Sequence, residues 1–235
     1  MTANTALLRL ENVDAFYGNA HILHGLSLHV ARGEKVALIG RNGVGKTTVV
    51  NTILGLATMR RGALQLGGQA VKKPRTYLAA QRGTVVVPQG RRIVANLSVE
   101  ENLQLGAATG RQGHWTVPRI YELFPILQER AHTPGTALSG GQQQMLAVGR
   151  ALMANPDLIL LDEPTEGLAP VIVDQLGEIF NRVAALGTAL LLIEQNMTLV
   201  SRVAERYCAM AKGAVVAQGR VHEASLDELH RHVMV

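Results

Sequence analysis

The segment Gly40-Arg41-Asn42-Gly43-Val44-Gly45-Lys46-Thr47 fits the phosphate-binding pattern G-x-x-x-x-G-K-[ST]. Glycines at positions 40, 43 and 45 let a backbone wrap closely around a phosphate chain with its N–H groups turned inward. A helix starting directly behind such a loop adds the partial positive charge of its N-terminus. In that arrangement Lys46 reaches the β- and γ-phosphates of a nucleotide, and the Thr47 hydroxyl ligates a Mg2+ that bridges them. Asn42 within the loop and Thr48 directly after it count among the nucleotide-contacting positions. A glycine-rich turn with a chance lysine would share the pattern, so the flanking elements have to support it.

Two further segments carry chemistry. In Leu158-Ile159-Leu160-Leu161-Asp162-Glu163 an aliphatic run ends in two adjacent acids. Neighbours at a strand end face different ways, which places Asp162 in a Mg2+ shell and leaves Glu163 free to take a proton from an attacking water. Alone, such a pair is an ordinary solvated strand end; beside a phosphate loop it points to nucleotide hydrolysis. In Leu138-Ser139-Gly140-Gly141-Gln142, small residues precede a helical pattern over 143–153 and expose N–H groups, with the Ser139 hydroxyl beside them. That is a second phosphate-contacting surface or a plain helix cap.

The elements that must position these groups follow from periodicity. The run Lys35–Ile39 predicts a strand and residues 47–56 a helix, giving strand, loop, helix in the order the phosphate pattern needs. Runs at 158–161 and 189–193, without alternation, predict strands buried on both faces of a parallel sheet, and 85–87 suggests another. Alternation over 8–13 and 26–30 around Tyr17-Gly18-Asn19 predicts a small antiparallel sheet. Residues 99–105, 120–129 and 142–153 read as helices, broken by a polar stretch at 108–116. Residues 207–210 and 214–218 read as a hairpin, with a terminal helix from Ser225.

These segments, in this order, resemble the ATP-binding subunits of ABC transporters, whose signature the residues 138–142 match. The resemblance covers nearly the whole chain. It implies an α/β P-loop NTPase core with a mainly parallel sheet, an N-terminal antiparallel β subdomain and a helical subdomain insertion. It further implies a single domain over 1–235, with 1–88 and 156–235 as core and β subdomain and about 89–155 as the helical part. ATP and Mg2+ are the implied ligands. By the same resemblance Tyr17 stacks on adenine, and Gln89 touches Mg2+ or the water and links the core to the helical subdomain. Ser139, Gly140, Gly141 and Gln142 then face the nucleotide of a neighbouring subunit, and 165–168 crosses the interface, with Ala169 where many members carry Asp. Gln195 stands where many carry a histidine that contacts the γ-phosphate; its amide can donate a hydrogen bond but carries no proton or charge.

The wording L-L-I-E-Q-N, D-E-P-T-E-G-L-A-P and V-P-Q-G-R-R is similar to the smaller ATPase of bacterial uptake systems for branched-chain amino acids. Urea and short-chain amide importers share much of it. The implied partners are a second ABC ATPase subunit, as a heterodimer or alternatively a homodimer, and integral membrane permease subunits. A periplasmic or external solute-binding protein acts indirectly. The implied place is peripheral, on the cytoplasmic face of the inner (plasma) membrane.

Composition narrows the rest. The chain has 235 residues, 47% hydrophobic and 17% charged, enough to bury its own core. No apolar run is long enough to cross a membrane, and the opening 1–13 lacks the layout of a secretion signal. One cysteine, Cys208, excludes a disulfide scaffold. The net charge of +5 tolerates nucleic acid, but 3% aromatic residues supply few stacking rings, so no nucleic-acid partner is expected. A soluble ABC ATPase acting on nucleic acid or ribosomes resembles tandem modules or carries long heptads, and neither is present. A switch that binds ATP without turnover would have no need of Glu163. His21, His24 and His29 lack metal-site spacing and read as ordinary histidines.

Overall fold

The computed structural model describes residues 6–234, so the first five residues of the opening segment lie outside the described residues. Strands β1 (Ala6–Tyr17) and β2 (Ala20–Ala31) form a hairpin closed at the Tyr17↔Ala20 pair. Next come β3 (Lys35–Ile39), α1 (Lys46–Leu54), β4 (Thr58–Leu66), β5 (Gln69–Ala70), α2 (Thr76–Gln81) and β6 (Thr84–Val87). Four helices follow: α3 (Val99–Gly106), α4 (Val117–Leu123), α5 (Pro125–Glu129) and α6 (Gly140–Leu152). The chain then runs through β7 (Leu158–Asp162), α7 (Pro170–Ala185), β8 (Ala189–Glu194) and α8 (Met197–Val203). It closes with β9 (Arg206–Ala211), β10 (Ala214–Arg220) and α9 (Leu226–Met234).

An antiparallel sheet has the order β2-β1-β4-β5, and a larger sheet the order β10-β9-β3-β8-β7-β6. All pairs in the larger sheet are parallel except the β9–β10 hairpin at its edge. Every residue of β7 and β8 is buried, which is why they read as continuous apolar runs. Period-two alternation still sorts their side chains. Ala37, Ile39, Ile159, Leu161, Leu190 and Leu192 face the helical layer of α3 to α8. Val36, Leu38, Leu158, Leu160, Leu191 and Ile193 face α1 and the antiparallel sheet. One sheet thus supports two cores.

The structure corrects some expectations. Residues 120–129 do not form one helix: the residue before a proline is pushed out of the helical region, and Phe124 (φ −133°, ψ 77°) separates α4 from α5 at Pro125. The antiparallel sheet is larger than the hairpin, because β4 and β5 extend it. α7 and α8 also add to the elements read from the sequence.

Candidate functional site

The strand order sets β3, β8, β7 and β6 side by side and parallel, so the loops leaving their carboxyl ends share one edge, where crevices of such sheets bind ligands. Gly40 follows β3, Asp162 ends β7, Gln195 follows β8 and Gln89 follows β6. Four segments far apart in sequence therefore converge.

The phosphate loop depends on glycine at two points. Gly45 caps α1 in a left-handed conformation (φ 107°), and a Cβ at Gly40 would lie 2.6 Å from the Met210 carbonyl oxygen. Lys46, the first residue of α1, is buried and turns its Nζ back into the loop, donating to the carbonyls of Gly40 (2.8 Å) and Arg41 (3.0 Å). The same Nζ lies 3.4 Å from Glu163 Oε1. Thr47 Oγ1 donates to Asp162 Oδ1 at 3.3 Å. Thr48 is buried in the first turn of α1, where its carbonyl accepts from Thr52 Oγ1 at 2.7 Å.

Asp162 and Glu163 diverge as their adjacency requires. Asp162 stays in the strand and is buried; loss of hydration and the neighbouring Glu163 charge push its carboxyl up to about 6, against the Thr47 hydrogen bond and Lys46. Glu163 leaves the strand with φ 48°, unusual for a residue with a side chain, and its N–H is held by the Ile193 carbonyl at 2.9 Å. Its carboxylate accepts from Gln89 Nε2 (3.3 Å) and Gln195 Nε2 (3.1 Å). Gln195 also donates to Asn42 Oδ1, joining the phosphate loop to the acid pair.

Tyr17, at the end of β1, is 41% exposed and its hydroxyl accepts from Asn51 Nδ2 on α1 at 2.6 Å, leaving ring surface open beside the loop's helix. Ser139, Gly140, Gly141 and Gln142 start α6 with a reciprocal capping box between Ser139 and Gln142. Their side-chain hydrogen bonds lie within this cap, and none reaches the phosphate loop. The donor set suits magnesium, which takes oxygen ligands and keeps substrate phosphates in its shell: Thr47 and Asp162 bring a hydroxyl and a carboxylate together.

Three contributors to the site were not singled out individually from the sequence. Glu166 accepts from Gln89 Nε2 at 3.0 Å. Arg150 on α6 donates to the carbonyls of Arg91 (2.8 Å) and Arg92 (2.9 Å). Glu194 is a buried acid at the end of β8. Only Glu194 left a signal, a lone acid closing an aliphatic strand. Cys208 is buried, and burial pushes its thiol up.

A sheet with a phosphate loop, an acid pair and a glycine-rich helix cap defines an ATP-binding cassette. Residues 23–166 match the family described as ABC transporter, and the chain belongs to it: it has the ABC ATPase fold, binds ATP and is an ATPase. The chain is 38% identical over 212 residues to the high-affinity branched-chain amino acid transport ATP-binding protein BraG of Pseudomonas aeruginosa, covering 89% of this chain and 91% of that protein. It is 35% identical over 233 residues to the Nod factor export ATP-binding protein I of Ralstonia nicotianae, covering 96% of this chain and 71% of the relative. A solved ATP-binding subunit of an ABC transporter superposes with a TM-score of 0.84 at 28% identity, covering 96% of this chain and 98% of that one. Among the described residues no helix is long and apolar enough to cross a membrane.

Proposed function

We propose that this chain hydrolyses MgATP to drive an importer of branched-chain amino acids, with Glu163 as general base. The observation that carries the hydrolytic part is the convergence of Lys46 and Gln195 on Glu163 (3.4 and 3.1 Å) next to the Thr47–Asp162 contact. The base is oriented by two flanking donors and lies beside the lysine of a phosphate loop. Thr47, Asp162 and Gln89 would hold Mg2+, which supplies charge neutralisation at the β- and γ-phosphates. Glu163 takes the proton of the attacking water, Gln195 and Gln89 hold its carboxylate, and Tyr17 stacks on adenine.

Ser139 to Gln142 complete the site of a facing subunit, as membership of the family implies. The functional unit is then a pair of ATPases, preferably two different ones, on the cytoplasmic face of the membrane with permease subunits above it. A solute-binding protein acts through those permeases. In this division, about 89–155 forms the helical subdomain that carries motion to them. The likeness to BraG over most of both chains supports the amino-acid substrate. Urea or short-chain amide uptake is the alternative from the sequence wording. The export ATPases at 35% identity favour an exporter as a second reading.

Two experiments test this. Phosphate release by the full chain is expected to fall at least about a hundredfold in Glu163→Gln while MgATP still binds; unchanged release overturns the base assignment. Uptake of labelled leucine by cells lacking the chain should return with the wild type and not with Glu163→Gln. Uptake indifferent to the chain overturns the substrate and leaves the ATPase standing.

A further inference from the structure

From the hydrogen bonds around Glu194 we infer that this residue is a positioning residue for hydrolysis, tying the turn that carries Glu163 to the turn that carries Gln195. Glu194 is 4% exposed and among the described residues pairs with no cation. Its charge is instead satisfied by donors on two different loops. Oε1 accepts from the Thr165 N–H (3.1 Å) and the Thr165 hydroxyl; Oε2 accepts from the N–H groups of Gln195 (2.9 Å) and Asn196 (3.1 Å). A buried carboxylate with all its acceptor directions filled is a rigid clamp, because loss of either oxygen strands two donors away from water.

The clamped parts are those that aim the base. Thr165 lies two residues after Glu163, whose left-handed backbone needs outside support and donates its N–H to the carbonyl of Ile193, the residue before Glu194. Gln195 on the other side donates to Glu163 Oε1 at 3.1 Å. Glu194 thus fixes both the backbone that launches the Glu163 side chain and the amide that receives it, without touching the reacting atoms. Neither phosphate-loop residue that grips nucleotide, Lys46 or Thr47, is among its partners. Its loss should therefore appear in turnover and not in ATP affinity.

This inference rests on Glu163 being the base. The test measures kcat, KM and binding of a fluorescent ATP analogue on the full chain, in Glu194→Gln, Thr165→Val and Thr165→Ser. Glu194→Gln turns an acceptor toward N–H groups into a donor; Thr165→Val removes the hydroxyl at constant shape, and Thr165→Ser restores it. The expected result is kcat at least about tenfold lower in Glu194→Gln and clearly lower in Thr165→Val, recovery in Thr165→Ser, and affinity within about twofold throughout. Should Glu194→Gln not fold, the Thr165 pair decides alone. Unchanged kcat, or kcat and affinity falling together with no recovery in Thr165→Ser, overturns the proposal. Glu163→Gln is measured beside them: normal turnover there overturns the base assignment, whereas loss there with full turnover in the other variants overturns only the clamp.

Discussion

Gln195 Nε2 donates to Glu163 Oε1 at 3.1 Å and also to Asn42 Oδ1, so one uncharged amide spans the loops after β3, β7 and β8. Because it does not titrate, the amide itself stays a hydrogen-bond donor whatever the pH. Truncation to Ala leaves Lys46 and the loop backbone to bind phosphate while Glu163 loses a donor. Gln195→Ala is expected to lower kcat about ten- to a hundredfold with MgATP affinity within about threefold, measured by phosphate release and nucleotide titration. Equal loss in both quantities would contradict an orienting role.

Asp162 gives a pH signature. Its carboxyl lies at about 6, raised by burial and by the charge of Glu163. A carboxyl raised in the fold binds its proton more tightly there than in the unfolded chain, so without metal stability falls as pH rises from about 4 to about 6, then stays level. The penalty is on the order of 3 kcal/mol, and Asp162→Asn removes it. In EDTA at pH 7.5 the Asn variant should therefore melt higher than the wild type. With saturating MgATP the order should reverse, because the cation then satisfies the charge only in the wild type. A variant that melts lower in both buffers would refute this account.

Much of this site was legible because it is local. Residues 40–47 need only a strand before and a helix after, and both β3 and α1 are marked by composition. Asp162 and Glu163 stand out because acids end an apolar run. The links Gln89 to Glu166 and Glu194 to Thr165 depend on β6, β7 and β8 being neighbours, a matter of sheet order that no local pattern encodes. β4 hides for another reason: its first half, through Arg60, Arg61 and Gly62, is largely exposed and shows no apolar alternation. α7 was missed although its pattern is legible: Val173, Leu176, Phe180 and Val183 recur at helical spacing on its buried face.

Lys46 carries the binding prediction. Its side chain is 4% exposed and its ammonium already lies within reach of two loop carbonyls and Glu163, so its charge is held where phosphate oxygens would meet it. Charge-assisted bonds of this kind contribute about 1.5–3 kcal/mol each. Lys46→Ala should weaken MgATP binding at least about tenfold, and it also removes a favourable neighbour of Glu163. Isothermal titration of the purified chain checks this; affinity equal to wild type would remove the lysine from the nucleotide site.

Arg150 is expected to link the start of α6 to the Gln89 loop. Gly90, Arg91 and Arg92 all have positive φ (74°, 62° and 48°), and for the two arginines that backbone is costly. Arg150 holds them there through bonds to both carbonyls, from the helix whose first turn carries Ser139 to Gln142. Burial lowers its guanidinium below the ordinary arginine value. Arg150→Met keeps the aliphatic stem and removes these two bonds and a longer one to Asn102 Oδ1 (3.4 Å), at a cost of about 2 kcal/mol in stability. Arg150→Lys keeps the charge but loses the fork that spans adjacent carbonyls, so it should behave like Met rather than like Arg. Both variants should release the loop that positions Gln89 and lower kcat, with increased hydrogen exchange at 90–92. Faster exchange confined to α6, with 90–92 unchanged, would mean that Arg150 supports its own helix and not the loop.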